Sequence, residues 1–222
     1  GCSKGYVGKI IDGKIQGKIP EYVKKAGKDD FFRVTDMEST FDDCMELEEM
    51  QENIPSGVKN FNYTFYECLS LTSITIPDSV TTIGDFTFSG CQSLTSITIP
   101  DSVTTIGDAT FYECSSLTSI TIPDSVTTIG DDTFYECSSL TSITIPDSVT
   151  SIGYRAFSGC SSLTSITIPA KVENIGGASF SYCSSLKSIE IDEKNKNYLS
   201  ENGIIFSKEK KVIIAYPAGK TE

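Results

Sequence analysis

The 222 residues contain no histidine and no tryptophan. No apolar run approaches the ~18 residues that a membrane-crossing helix needs. Without histidine the chain lacks the side chain that titrates near neutral pH, and with it the usual general base. Eight cysteines are present but none forms a CxxC pair, so zinc has no ligand spacing to occupy. Bases are scarce as well: from 60 to 186 only Arg155 and Lys171 occur. Nucleic acid is excluded as a partner, because phosphate binding needs a basic stripe along the surface. The net charge of −12 is unevenly placed, with seven lysines against Asp12 and Glu21 in residues 1–28 and eleven acids against Arg33 and Lys59 in residues 29–67.

What the chain does have is repetition. Cys68, Cys91, Cys114, Cys137, Cys160 and Cys183 stand 23 residues apart without a slip, and the residues between them repeat too. Apolar residues at constant offsets, with a period in the twenties, mark a solenoid whose coils stack on one another. In the unit running to Cys114 the run Leu94-x-x-Ile97-x-Ile99 fits a leucine-rich-repeat strand, expected over Ser96 to Pro100. Proline closes it, having no N–H for a parallel ladder, and Asp101-Ser102 supplies turn chemistry. Val103 and Ile106 bring the chain back inward. Gly84, Gly107, Gly130, Gly153 and Gly176 mark a second bend, where positive φ is expected. The stretch Asp108 to Cys114 is expected to close the coil as a brief α or 3₁₀ segment. Leu94, Ile97, Ile99, Val103, Ile106, Phe111 and Cys114 point inward, too few for one coil to fold alone, so stability has to come from stacking.

Units such as Leu94–Cys114, Leu117–Cys137 and Leu140–Cys160, with the phrases LTSITIPDSVTTIG and AFSGCSSL, closely resemble the BspA-like leucine-rich repeats of bacterial surface proteins. The tail from Asn202 to Lys220 is similar to a segment that often follows such repeats in that family. The resemblance implies a β-rich α/β fold, a right-handed solenoid of 23-residue coils. It also implies export or display at the cell surface and a role in adhesion or protein interaction. It brings no catalytic residue and no cofactor.

The ends are less regular. Met37, Phe41, Cys44 and Leu47 align with Ile106, Phe111, Cys114 and Leu117 once one residue is deleted, so a degenerate coil begins at Val34. Gly8-Lys-Ile10 and Gly13-Lys-Ile15 read as two short strands. Residues 1–33 are expected to form an N-terminal cap, 34–191 the solenoid, and 192–222 a C-terminal cap or hairpin, or else a linker to further repeats. Gly1-Cys2-Ser3 resembles a bacterial lipoprotein cleavage junction, which would make Cys2 a lipidation site and the lipid its only tie to a membrane; a chance cysteine is the other reading.

Three further groups invite functional readings. Asp42, Asp43, Glu46, Glu48, Glu49 and Glu52 are hard oxygen ligands suited to Ca²⁺, but no calcium-loop spacing connects them, and a solvated acidic face is favoured. The repeated cysteines lie at one inward position on successive rungs and point in parallel, so they are expected as free, buried thiols rather than disulfides. Tyr66, Tyr112 and Tyr135 follow the buried Phe and are read as half-exposed packing residues ahead of a sugar-stacking platform. With no histidine, and with Asp78, Asp101, Asp124 and Asp147 forming a ladder of like charges, an enzyme is not expected.

The strongest candidate site is the outer face of the strands. There Ser73, Ser96, Ser119, Ser142 and Ser165 run beside Thr75, Thr98, Thr121, Thr144 and Thr167. Such a ribbon is uncharged and hydroxyl-rich, although β-branched threonine also suits any strand. Identical rungs favour weak multivalent contact with an extended partner. The expected partner is a protein, a host extracellular-matrix ligand or another cell surface, bound by a monomer. A passive spacer displaying other domains is the alternative.

Overall fold

The computed structural model describes residues 37–50, 58, 61–209 and 212–220, with three short strands ahead of them: β1 (Lys9–Ile11), β2 (Lys14–Gln16) and β3 (Lys25–Ala26). β1 and β2 pair antiparallel, Lys9 opposite Gln16, and β3 pairs in parallel with β4 (Glu49–Met50). Beyond them the chain winds into coils joined by two sets of parallel strands and a strip of stacked turns.

The first set is the expected strand, slightly shorter than the sequence suggests. β6 (Ser96–Thr98), β8 (Ser119–Thr121) and β10 (Ser142–Thr144) pair serine on serine and threonine on threonine. β12 (Ser165–Ile168) pairs with β14 (Ser188–Ile191) in the same sense. The second set was not anticipated. β5 (Thr82–Ile83), β7 (Thr105–Ile106), β9 (Thr128–Ile129), β11 (Ser151–Ile152) and β13 (Asn174–Ile175) make a five-stranded parallel sheet. The return path from Val103 is therefore a strand itself, as its β-branched Thr-Thr-Ile run favours.

The third side holds no helix among the described residues, contrary to the expected helical or 3₁₀ segment. Its amides alternate between two destinations. Ala109, Phe111 and Glu113 donate to Asp131, Thr133 and Tyr135 of the next coil at 2.7–2.9 Å, whereas Tyr112 and Cys114 donate to Ala109 and Phe111 of their own. A helix would keep every such bond within the coil. The alternation bends the chain through the left-handed region at Ala109 (φ 50°) and Glu113 (φ 55°), and the same two offsets recur in every coil. Each costs about 1 kcal/mol or more for a non-glycine residue, offset by hydrogen bonds to the neighbouring coil.

Inside, like side chains stack on like. Phe41, Phe65, Phe88, Phe111, Phe134, Phe157 and Phe180 form a column with ring centroids 5.2–5.7 Å apart and planes within 9°. The cysteines from Cys44 to Cys183 are buried and form no disulfide. From Cys68 onward each thiol donates to the carbonyl of the phenylalanine in the preceding coil, as Cys114 does to Phe88 at 3.1 Å and Cys137 to Phe111 at 3.1 Å. Buried threonines just before the phenylalanines were overlooked in the sequence. The Thr110 hydroxyl lies 2.7 Å from the carbonyl oxygen of Gly107 and 3.1 Å from that of Gly84, which ties two coils together.

Two local expectations are corrected. Among the described glycines positive φ belongs to Gly90, Gly159 and Gly203, not to Gly84, Gly107, Gly130, Gly153 and Gly176 at the bend. They are needed because coils touch there: a Cβ on Gly153 would sit 2.4 Å from the Gly130 carbonyl carbon. In the Asp-Ser turns it is serine that bonds, and as a donor: Ser102 donates to Val80 of the preceding coil at 2.7 Å, and Ser148 to Val126 at 2.6 Å.

After the coils come β15 (Tyr198–Glu201), β16 (Ile204–Ser207) and β17 (Ile213–Ala215), an antiparallel sheet that begins with a hairpin turn at Asn202 and Gly203, both left-handed. It meets the ends of both parallel ladders. The Ile175 amide donates to the Tyr198 hydroxyl at 3.2 Å, and the Ile189 amide to Gly203 at 2.9 Å.

Three predictions test this arrangement. Ile120 is 6% exposed and stacks between Ile97 and Ile143, so Ile120→Asp should abolish cooperative urea unfolding, whereas Thr121→Asp on the outer face should change stability little. Gly153→Ala should cost about 1–3 kcal/mol through overpacking against the adjacent backbone. The thiol column should make the protein labile in alkali. Burial holds Cys68, Cys91, Cys114, Cys137 and Cys160 well above the usual thiol range, and Cys183 is pushed up to about 11. These thiols stay neutral in the fold but ionise in the unfolded chain above about pH 8.5. The thiols' contribution to stability should thus be constant below about pH 8 and fall above it by about 1.4 kcal/mol per pH unit for each thiol. Denaturation midpoints across pH should show this, with a slope about one third smaller after Cys114→Val and Cys137→Val.

A candidate binding ribbon on the parallel sheet

The alternation of the short strands places the ribbon. Ile97 and Ile120 turn inward, so Ser96, Thr98, Ser119 and Thr121 turn out, and all four are exposed. Ser142 and Thr144 continue the two columns, Ser165 and Thr167 carry them onto β12, and every one of these is exposed. Thr75 joins through a single parallel bridge to Thr98, and exposed Ser73 beside it is a bridge residue as well. At the far end Thr167 faces Glu190, so a charge closes the uncharged columns.

Bonding separates the ribbon from its flank. Thr118 donates its hydroxyl to Thr95 at 3.2 Å and Thr141 to Thr118 at 3.3 Å, so that column is satisfied along the solenoid. The ten ribbon hydroxyls make no hydrogen bond to protein among the described residues and face solvent with donor and acceptor capacity unspent. The second sheet presents another hydroxyl face that sequence reading missed, with Thr82, Thr105 and Thr128 exposed. Its signal was present in the repeated Thr-Thr-Ile.

The remaining candidates fall elsewhere. Tyr66, Tyr112 and Tyr135 are half-buried on the turn side, where Tyr112 and Tyr135 stack at 4.7 Å. Arg155 lies over Tyr135 at 4.8 Å and Tyr154 at 5.0 Å, with Nε 2.8 Å from Asp132 Oδ1 and Nη2 donating to Oδ2 at 3.0 Å. Among the described residues no group of Cys, Asp and Glu is arranged to hold a metal ion. Cys2 lies outside the described residues, as do the side chains of Glu49 and Glu52.

Comparison with known proteins agrees with this architecture. The BspA type leucine rich repeat region matches in six copies, over residues 18–115, 58–187 and 104–215. A leucine rich cell surface protein from Faecalibacterium prausnitzii is 33% identical, with a TM-score of 0.73 over 92% of this chain and 55% of its own. A leucine-rich repeat protein from Eubacterium ventriosum is 30% identical over 77% of this chain and 45% of its own, with a TM-score of 0.63. One from T. pallidum is 34% identical over 53% of this chain and 57% of its own, with a TM-score of 0.52. This chain thus spans about half the length of these structures. No curated protein matches it. With the family model covering most of the coils, the chain belongs to the BspA-type leucine-rich repeat family.

Proposed function

We propose that this protein is a non-catalytic adhesion or protein-interaction module, displayed at the cell surface or secreted, that binds through the Ser/Thr ribbon from Ser73 to Thr167. The observation that carries the reading is the pair of in-register columns whose hydroxyls are unbonded while the neighbouring threonine column is self-bonded. An uncharged, repetitive face suits many weak contacts with an extended protein, such as a matrix ligand or another cell's surface, and avidity raises the total affinity without a deep pocket. The Faecalibacterium prausnitzii relative, described as a leucine rich cell surface protein, supports the location. In this reading Cys2 is a lipidation site, and residues 1–33 and 192–222 cap a monomeric solenoid.

Placing lysines at Thr98, Thr121 and Thr144 tests the ribbon. Because those side chains never enter the core, the melting transition should be retained. Binding of protein-coated beads to matrix proteins or cells should fall to background, since three charges on adjacent rungs block close approach. A wild-type chain that does not bind even when clustered on beads would leave the spacer as the function.

A further inference from the structure

The Tyr-Glu pair that follows the stacked phenylalanine occurs in two consecutive coils only once, as Tyr112-Glu113 and Tyr135-Glu136. The coils on either side carry Ser89-Gly90 and Ser158-Gly159 at the same offsets. Two tyrosines and two glutamates therefore adjoin here, with the Glu136 carboxylate reaching over Gly159 and that of Glu67 over Gly90. Beside them lies a shallow cavity of about 380 Å³, lined by Gln92, Glu113, Ser115, Tyr135, Glu136 and Ser138. Its size is at the lower end of the range for ligand pockets, and its wall combines two carboxylates with an amide, two hydroxyls and an aromatic edge.

The charge of this cavity is uncompensated. No Lys or Arg occurs from 60 to 154, and Arg155 is committed to Asp132 by an ion pair in which Nη2 donates to Oδ2. That arginine also shows what the column accommodates. Its guanidinium already rests on one face of Tyr135, beside a carboxylate, with Tyr112 stacked on the ring from the neighbouring coil. The two faces of Tyr135 are thus taken by Arg155 and Tyr112, and what the cavity offers beside the ring edge is a pair of carboxylates without a cation. An anionic ligand would be repelled and an apolar one would bury both carboxylates without a counter-charge, whereas an ammonium or guanidinium group would find acceptors on several sides.

We propose that this cavity is a second contact site, on the turn side rather than the ribbon, that takes one lysine or arginine side chain of a partner polypeptide. It does not depend on the ribbon reading. Two carboxylates suit a single cationic side chain, and because both are partly accessible to solvent the affinity is modest and sensitive to salt.

The test uses the intact protein and an extended peptide carrying one central lysine, with norleucine in that position as the apolar control. Nuclear magnetic resonance titration should show saturable shifts at the amides of Gln92, Ser115 and Ser138 for the lysine peptide, weakening in high salt, and none for norleucine. Glu113→Gln with Glu136→Gln should weaken binding by about ten-fold or more, as the loss of charge-assisted hydrogen bonds implies, while circular dichroism stays unchanged. The lysine substitutions at Thr98, Thr121 and Thr144 should leave it intact. Equal shifts with norleucine, undiminished binding by the double glutamine variant, or absence of a saturable shift would overturn the proposal. Binding of an amino-sugar polymer in preference to the lysine peptide would overturn its assignment to a polypeptide.

Discussion

Every other feature of this fold depends on each coil matching its neighbour in height and outline. The turn strip sends its odd-numbered amides in the Phe111 coil upward, to carbonyls that exist only if the next coil has the same shape. The thiols and the Thr110 hydroxyl reach the other way, to carbonyls of the coil before. Folding is therefore a property of neighbouring pairs. The glycines at the bend mark how close the pairs come, since the backbone of one coil occupies the space where the next would carry a Cβ.

This dependence explains why polar atoms are so frequent inside. A buried threonine or thiol would be costly beside unpaired carbonyls, but at a constant offset each meets an acceptor supplied by the repeat itself. Outside, the same regularity produces surfaces of differing chemistry. The ribbon is neutral and unbonded, the neighbouring threonine column is self-bonded, and the turn side gathers tyrosines and carboxylates. Variation there falls in the two residues after the bend glycine, from Asp85-Phe86 to Tyr154-Arg155, and in the two after phenylalanine, where Tyr-Glu and Ser-Gly both occur without disturbing the stack.

Much of this was legible from spacing. The period of Cys68 to Cys183, the inward set headed by Leu94 and the outward Ser96 and Thr98 all follow from alternation within a repeat, and their burial agrees. The second strand was missed because two residues, Thr105 and Ile106, are too short a run to show a period. The stretch Asp108 to Cys114 has the length of a short helical turn that would close the coil; the hydrogen bonds that decide otherwise run between residues 22 apart, beyond any local signal. The cavity beside Tyr135 was invisible for a related reason. It arises from which coil follows which, while each motif alone reads as ordinary packing.

The stacked coils also have a mechanical consequence. A solenoid pulled from its two ends along its axis carries the load through its inter-coil hydrogen bonds in series, so the coil at an end gives way before those behind it. Each release would free 23 residues, about 75–80 Å of slack, where the folded coil had spanned about 5 Å. Held between two surfaces, such a chain yields in equal steps, and the coils still stacked keep their faces presented.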